Sequence, residues 1–268
     1  MSLIAISELH FDDIHAIWHA AKNRENTLNG NVAWSFEGNG IRTRTTFIQA
    51  FRDLGLSYTE LPNLLKTSER TTDLAGYLDA FYDVYVIRET NHERLLEFSK
   101  MSRRPVINAM SSEGHPCEVL TDAAYIDSEI MPISQALICL FGAPTNVFRS
   151  WYELAQVLGI QITHVCHPRF HHAYSHVRFL ENPPERADIV ITDAWPIAHE
   201  SDARPLSLEI LGSLGNPSLL PTPPFTIGRE LSFDPLLYQG FVGYEQKEWL
   251  LPIQRGILRF LLDRRIPS

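Results

Sequence analysis

The sequence predicts an α/β protein with two lobes, each a parallel sheet flanked by helices. Short apolar runs alternate with helix-like segments along the chain, which is the pattern of parallel sheets. The runs form two groups, and residues 127–134 between them are interpreted as a hinge. The chain has 268 residues, of which 44% are hydrophobic, so it can bury the core of one large or two medium domains.

The first group contains three predicted strands. They are residues 32–36, 84–88 and 105–108. Apolar residues at helical spacing predict an amphipathic helix over residues 43–54, and Gly55 would end it. Residues 118–125 also predict a helix.

The second group contains four predicted strands. They are residues 136–141, 160–165, 189–192 and 208–211. A helix is predicted over residues 146–158, so residues 136–165 form one βαβ unit. The apolar segment 250–262 predicts a terminal helix, in which Pro252 is tolerated only in the first turn.

Composition and charge exclude several classes of protein. The formal net charge of −9 argues against a nucleic-acid partner, because such binding usually needs a basic surface. No run approaches the roughly 18 apolar residues of a membrane span, and the amino-terminal residues lack the order of a signal peptide. Three cysteines without a pattern predict reduced thiols. We therefore expect a cytoplasmic protein with no membrane partner.

Residues 36–47, with the sequence FEGNGIRTRTTF, predict an anion site. A strand runs into a glycine-containing turn and then into a helix that opens with Arg42, Thr43 and Arg44. Amides at a helix start and guanidinium groups both favour a phosphate. The alternative is a solvated helix start whose arginines pair with Asp53 or Glu37.

The same segment resembles the S-T-R-T-R phosphate loop of the aspartate and ornithine carbamoyltransferase family. The resemblance continues in order along nearly the whole chain. The matching segments are DVYVIR at 83–88, HPCE at 115–118, GAPTNVFRSW at 142–151, ADIVITDAWP at 187–196 and SLLPTPP at 218–224. The resemblance implies a carbamoyltransferase in which the C-terminal helix returns to the first lobe.

The resemblance implies that residues 1–132 with 246–268 form a carbamoyl-phosphate-binding domain. Its ligand-binding residues would be Gly40, Ile41, Arg42, Thr43, Arg88, His115 and Glu118. Arg42, Arg88 and His115 would also polarise the carbamoyl oxygen, because guanidinium stays charged and histidine can donate a hydrogen bond near neutral pH. For Arg44, a salt bridge that holds the helix is as consistent with the sequence as contact with the ligand.

Residues 133–245 would form the acceptor-binding domain. The implied acceptor residues are Asn146, Asp193, Leu219, Leu220 and Lys247, the last lying just beyond that range. Backbone carbonyls at the two leucines would accept from the attacking amine, and the Leu220–Pro221 bond would be cis; a surface turn is the alternative. For Asp193 the alternative is helix capping.

Several residues depart from the family pattern. Gly40 and Ile41 replace the serine and threonine of the phosphate loop, and Glu118 replaces a glutamine. On the acceptor side, the replacements are Ile197, Ala198, Leu219 and Lys247. These changes, and a more apolar pocket entrance at residues 195–197, argue against ordinary ornithine or aspartate as the acceptor and favour a different amino acid or amine.

The segment 65–73 occupies the place of a family loop that reaches into a neighbouring subunit. Lys66 and Arg70 would then contact phosphate in trans, which implies a homotrimer; a solvated loop is equally consistent. Four histidines at positions 167, 171, 172 and 176 invite a metal interpretation, but no acidic partner is obvious and an exposed loop is favoured. We expect no metal and no cofactor.

Three functions remain open. The first is an active carbamoyltransferase with an altered acceptor. The second is a catalytically silent relative that binds carbamoyl phosphate or an amino acid as a regulatory subunit, suggested by Gly40, Ile41 and Glu118. The third is an unrelated α/β nucleotide-binding enzyme, although residues 142–146 lack G-x-G-x-x-G and the chain has no P-loop lysine motif.

Overall fold

The structure is a computed structural model that describes residues 1–22, 27–202 and 204–263. The chain divides into two compact units, Met1–Ala124 with Glu248–Ser268, and Tyr125–Lys247. The divisions fall at 124/125 and 247/248, whereas the predicted domain boundaries are at 132/133 and 245/246. Residues 264–268 of the predicted terminal segment lie outside the described residues.

The elements of the whole chain follow in sequence order. The strands are β1 (Asn31–Phe36), β2 (Ser57–Glu60), β3 (Val84–Arg88), β4 (Val106–Met110), β5 (Ile138–Phe141), β6 (Ile162–Val165), β7 (Val177–Leu180), β8 (Ile189–Thr192) and β9 (Ser218–Pro221). The helices are α1 (Phe11–Lys22), α2 (Ile41–Asp53), α3 (Thr71–Leu78), α4 (His92–Met101), α5 (Pro116–Tyr125), α6 (Asn146–Leu158), α7 (Leu208–Ser213), α8 (Gly243–Glu248) and α9 (Leu250–Asp263).

The first unit contains a parallel sheet with the strand order β2-β1-β3-β4. Strands β1 and β3 are buried over nearly their whole length, as expected where helices cover both faces of a parallel sheet. Strand β2 is exposed at every residue, so its sequence SYTE has no apolar signal and the sequence analysis missed it. The register pairs Phe36 with Arg88, which brings the carboxyl ends of β1 and β3 together.

The terminal helix α9 packs against α1 and α2 of the first unit. Pro252 lies in its first turn, as predicted. Gly256 allows the close approach to α1, because a Cβ there would collide with the carbonyl oxygen of Ile17. Arg255 of α9 also forms an ion pair of 3.1 Å with Asp53 at the end of α2.

The second unit contains a parallel sheet with the strand order β7-β6-β5-β8-β9. The predicted βαβ unit is present as β5, α6 and β6. Both units are therefore parallel sheets with helices, and the C-terminal helix contacts the first one. The predicted fold class is confirmed.

Two predictions in the second unit are wrong. Residues 208–211, predicted as a strand, belong to helix α7. The Ser207 hydroxyl caps the start of this helix by accepting from the Ile210 amide at 3.2 Å. A short apolar run does not distinguish a strand from a helix. The Leu220–Pro221 bond is trans, because Pro221 continues strand β9 beside Thr192, and the cis bond lies at Pro223–Pro224. The surface-turn alternative for this segment is wrong as well, since Ser218–Pro221 is the buried strand β9.

A buried histidine connects two elements of the second unit. His164 of β6 is fully buried; its Nε2 donates to the Gly142 carbonyl at 2.8 Å and its Nδ1 accepts from the Tyr152 hydroxyl at 2.6 Å. The Gly142 carbonyl can only accept, which fixes the proton on Nε2, and burial lowers the pKa of His164 from 6.5 to about 4, so the imidazole is neutral near pH 7 and its Nδ1 accepts. The contact holds the turn that follows β5.

We expect this histidine to make the fold sensitive to acid. The unfolded chain protonates His164 near pH 6.5, whereas the folded chain resists protonation down to about pH 4. The contribution of His164 to the free energy of unfolding is therefore fully present above pH 6.5. It is lost as pH falls toward 4, and the loss is at most about 3 kcal/mol. Urea denaturation from pH 7.5 to 4.5 should show a weaker pH dependence in His164→Gln than in the native chain. The exposed-site control His172→Gln should keep the native dependence; equal slopes in all three proteins would contradict the assignment.

Candidate functional site

Helix α2 begins at a glycine that has no room for a side chain. Gly40 has a left-handed backbone with φ 38°, and a Cβ on it would lie 2.8 Å from Cε1 of Phe36 and 3.2 Å from Nη1 of Arg88. The Arg88 guanidinium thus lies against the start of α2. In the family pattern a serine stands at this position. Here a guanidinium occupies the space next to the helix start, where it can offer hydrogen bonds to an anion.

Arg42 and Arg88 influence each other electrostatically. Burial, and next the positive charge of Arg42, lower the pKa of Arg88 from its ordinary value, while the charges of Glu37 and Glu118 act in the opposite direction. Like charges held close together favour binding of an anion, which relieves their repulsion. Thr43, in the first turn of the same helix, is buried.

His115 and Glu118 lie at the start of α5. Both are buried, with the His115 Nε2 atom 4.0 Å from Glu118 Oε2. Two hydrogen bonds of Ser111 hold the loop between β4 and α5. The Ser111 hydroxyl contacts His92 Nδ1 at 2.8 Å and accepts from Asn108 Nδ2 at 3.1 Å. Because Glu118 also acts on Arg88, the first unit contains a linked set of charged and polar groups running from Arg42 to His115. Convergence of Arg42, Arg88 and His115 on one ligand stays a prediction.

Ile41 and Arg44 face other surroundings. The Ile41 side chain has no hydroxyl to donate to a phosphate, and it is 62% exposed. Arg44 forms a 2.6 Å ion pair with Glu60 of β2, and its guanidinium lies 5.4 Å from the centre of the Phe36 ring. The predicted alternative, a salt bridge, is thus found, but neither Asp53 nor Glu37 is its partner.

The predicted trans loop makes contacts within its own chain. Lys66 Nζ lies 2.6 Å from Glu89 Oε1 and 3.2 Å from Glu37 Oε1. Arg70 precedes α3 and pairs with Asp73. Contact with an adjacent subunit stays a prediction.

The sequence analysis missed Glu37 and Glu89 as components of this site. Each directly follows a strand, β1 and β3 respectively, and Glu89 is only 3% exposed. A backbone hydrogen bond from Thr90, 2.7 Å from Glu37 Oε2, is the main reason why the pKa of Glu37 is lowered to about 2. Their position directly after two buried strands was the signal that could have identified them.

The predicted acceptor residues Asn146 and Asp193 follow neighbouring strands of the second unit. Asn146 begins α6, after β5, and Asp193 is buried directly after β8. Because β5 and β8 are paired in parallel, both residues come at the same edge of the sheet, where α/β proteins bind ligands. Asp193 Oδ1 accepts from the Ala194 amide at 2.8 Å, and the next helical turn begins only at Ile197. The acceptor role of Asp193 and its capping alternative both stay predictions.

Trp195 is buried, and the predicted apolar pocket entrance at residues 195–197 stays a prediction. It is 5% exposed and packs with Ala143, Cys166 and Phe170. Ile197, by contrast, is 85% exposed.

Two neighbouring residues hold the backbone of Trp195. Glu230 Oε1 accepts from the Trp195 amide at 3.0 Å, and Arg229 Nη2 donates to the Trp195 carbonyl at 2.9 Å. Glu230 is fully buried and also accepts from the Thr226 amide at 2.8 Å. This pair fixes the segment that carries Asp193. An isolated Arg-Glu dipeptide in a loop has no distinctive sequence pattern, so only the structure identifies it.

The remaining acceptor predictions differ in their surroundings. Leu219 and Leu220 lie buried in β9, and the Leu219 carbonyl already accepts from the Val242 amide at 3.1 Å. Lys247 lies in α8 and is half-buried. A carbonyl oxygen has two lone pairs, so the Leu219 carbonyl retains the capacity for one further donor.

Some features of the chain concern metals, thiols and membranes. Over the described ranges 1–22, 27–202 and 204–263, no group of three or more His, Cys, Asp or Glu residues could hold a metal ion. Cys117, Cys139 and Cys166 are free and buried, and burial raises the pKa of the last two to about 12. None of the helices in the described part of the chain has the length and apolarity required to span a bilayer.

Comparison with known proteins agrees with the geometry. The family model "aspartate/ornithine carbamoyltransferase, carbamoyl-P binding domain" matches residues 2–128. The ornithine carbamoyltransferase of Methanopyrus kandleri is 27% identical over 97% of this chain and 96% of its own, and that of Psychrobacter cryohalolentis is 25% identical over 95% and 91%. The solved ornithine carbamoyltransferase of Pyrococcus furiosus shares the fold, with a TM-score of 0.89 at 20% identity, covering 99% of this chain and 98% of that one. Residues 2–128 thus match the carbamoyl-phosphate-binding domain of the aspartate/ornithine carbamoyltransferase family, and relatives named ornithine carbamoyltransferase align with nearly the whole chain.

We expect Gly40→Ala to cost more stability than the neighbouring Gly38→Ala. Both glycines have positive φ, so both substitutions carry a backbone cost of about 1 kcal/mol. Only at Gly40 does the new Cβ collide with Phe36, whereas at Gly38 it meets no atom of the described chain within 4 Å. The difference should be about 1–3 kcal/mol in urea denaturation. Equal losses in the two variants would show that Phe36 and Arg88 move aside freely.

Proposed function

We propose that this protein is an active carbamoyltransferase. It moves the carbamoyl group of carbamoyl phosphate to the amine of an amino acid or a related acceptor and releases phosphate. The observation that carries the proposal is the position of the Arg88 guanidinium against the start of α2, whose first turn carries Arg42. His115 and Glu118, 4.0 Å apart, belong to the same unit. Such a set suits a dianionic ligand with a polarised carbonyl, and similarity to the family supplies the reaction.

The chemistry needs positioning and charge stabilisation more than covalent participation of the protein. The uncharged amine attacks the carbonyl carbon, forming the C–N bond, and the C–O bond to phosphate breaks. Arg42, Arg88 and His115 stabilise the negative charge that develops on the carbamoyl oxygen. Phosphate departs with the bonding electron pair, and the amine loses a proton to phosphate or solvent. Glu118 can accept a hydrogen bond from the carbamoyl NH2 group.

The acceptor is assigned to the second unit. Asn146 and Asp193, at one edge of the sheet, would hold the amino and carboxylate groups common to amino acids. The relatives compared above are named ornithine carbamoyltransferases. The replacements Ile197, Ala198, Leu219 and Lys247 favour an acceptor other than ornithine or aspartate, and this belongs to the proposal.

A silent ligand-binding subunit is the second candidate. Glu118 motivates it, because this buried carboxylate adds negative charge where a phosphate would bind, and Gly40 and Ile41 supply no hydroxyl. A homotrimer in the cytoplasm, with shared sites, is carried over from the family resemblance. Light scattering during size-exclusion chromatography measures the oligomeric state directly.

Arg42→Ala should abolish binding of carbamoyl phosphate. Removing one of the two guanidinium groups halves the positive charge at the helix start and leaves the phosphate with Arg88 as its only charge-assisted partner of the pair. In a thermal-shift titration the melting temperature of the native protein should rise by several degrees at saturating carbamoyl phosphate. The melting temperature of the variant should not change. Arg52→Ala, at the exposed end of the same helix, is the matched control and should behave like the native chain. Retained affinity in Arg42→Ala would refute this placement of the site.

Phosphate release with a panel of amines distinguishes an enzyme from a silent relative. The panel should contain ornithine, aspartate, other diamino acids and polyamines, each with carbamoyl phosphate. We expect release with at least one amine, and slower release with ornithine than with the preferred acceptor. Binding of carbamoyl phosphate without release in any reaction would favour the silent subunit. Ornithine as the fastest acceptor would correct the specificity part of the proposal.

A further inference from the structure

Lys66 lies between two carboxylates that flank Arg88. Its Nζ atom contacts Glu89 at 2.6 Å and Glu37 at 3.2 Å. Glu37 follows β1, and Glu89 follows Arg88 at the end of β3. The Glu37 amide also donates to the Arg88 carbonyl at 2.9 Å. The negative charge of Glu37 also acts on the Arg88 guanidinium, which is the cation assigned to phosphate.

The same carboxylates organise the backbone around Arg88. Glu37 Oε2 accepts from the Thr90 amide at 2.7 Å, and Glu89 Oε1 accepts from the Asn91 amide at 2.8 Å. Glu89 is 3% exposed, so its charge depends on compensation by nearby groups. Lys66 supplies that compensation, and the hydrogen bond to Glu89 is the main reason why the pKa of Lys66 is raised.

The segment that carries Lys66 is fastened to its own unit. The Leu61 amide donates to the Trp34 carbonyl at 2.8 Å, and the Leu64 amide donates to the Ser35 hydroxyl at 3.2 Å. Arg94 of α4 donates to the backbone carbonyls of Thr67 and Glu69. These contacts place the lysine at the Glu37–Glu89 pair from within the chain.

We infer that Lys66 is a positioning residue that acts within its own chain, neutralising Glu37 and Glu89 so that the Arg88 guanidinium remains available to an anionic ligand. The inference rests on the proposed function, because it concerns the same phosphate site. Without Lys66, the charge of Glu37 would compete with the ligand for Arg88. The lysine would thus influence affinity without touching the ligand.

The test compares carbamoyl phosphate affinity, measured by calorimetry, in four proteins: native, Lys66→Met, Lys66→Arg and Lys66→Met with Glu37→Gln. We expect Lys66→Met to weaken binding about tenfold, which corresponds to one charge interaction on the order of 1.4 kcal/mol in the partly buried site. Lys66→Arg should retain near-native affinity. Adding Glu37→Gln to Lys66→Met should recover most of the loss, because the amide oxygen still accepts from Thr90 but no longer carries charge. Lys100→Met, an exposed lysine of α4, is the control.

The recovery of affinity by Glu37→Gln distinguishes a positioning role of Lys66 from direct contact between Lys66 and the ligand. If Lys66 touched the ligand, in its own or a neighbouring subunit, Glu37→Gln would restore nothing, and the inference would be overturned. Native affinity in Lys66→Met would overturn it as well. Should Lys66→Met fail to fold because Glu89 is left buried, Lys66→Met with Glu89→Gln provides a folded background for the same comparison. If the native protein binds no carbamoyl phosphate, the proposed function is wrong, and the inference about Lys66 is wrong with it.

Discussion

The candidate site of the first unit depends on the Arg88 guanidinium lying against the start of α2, whose first turn also carries Arg42, at one end of a parallel sheet. Bringing like charges together while burying one of them is unfavourable, and the lowered pKa of Arg88 reflects that cost. The surroundings are arranged to permit it. Gly40 removes a side chain from the space that Arg88 occupies, and Glu118 supplies a compensating charge. An anion bound between the arginines would complete the neutralisation, so the site is organised around a ligand charge.

The second unit stabilises its sheet edge with buried polar groups in place of surface charge. His164 fixes the Gly142 carbonyl, and Arg229 with Glu230 fixes both backbone groups of Trp195. Each of these contacts satisfies a backbone group in a loop, which stops the loop from sampling other conformations. The residues assigned to the acceptor therefore lie on short segments whose backbone is already fixed, which favours binding with little further ordering.

The sequence predicted the elements whose residues carry a strong local signal. Strands β1, β3 and β8 are nearly continuous apolar runs, and α2 and α6 show helical spacing with clear ends at Gly55 and Gly159. Edge strand β2 is polar because it is exposed, and it has no pattern that distinguishes it from a loop. Helix α7 is short and apolar, so its type was decided by the Ser207 cap and by packing.

By itself the sequence predicted the family resemblance and the fold class, and it proposed residues for a phosphate, because these predictions depend on residue type and on order along the chain. Only the tertiary structure decided the partners of the charged groups. Glu60, not Glu37 or Asp53, binds Arg44, and Lys66 lies between Glu37 and Glu89. These two sets of ion pairs join residues that are distant in sequence, and their choice depends on which strands are neighbours in a sheet. That information is absent from any local pattern of residues.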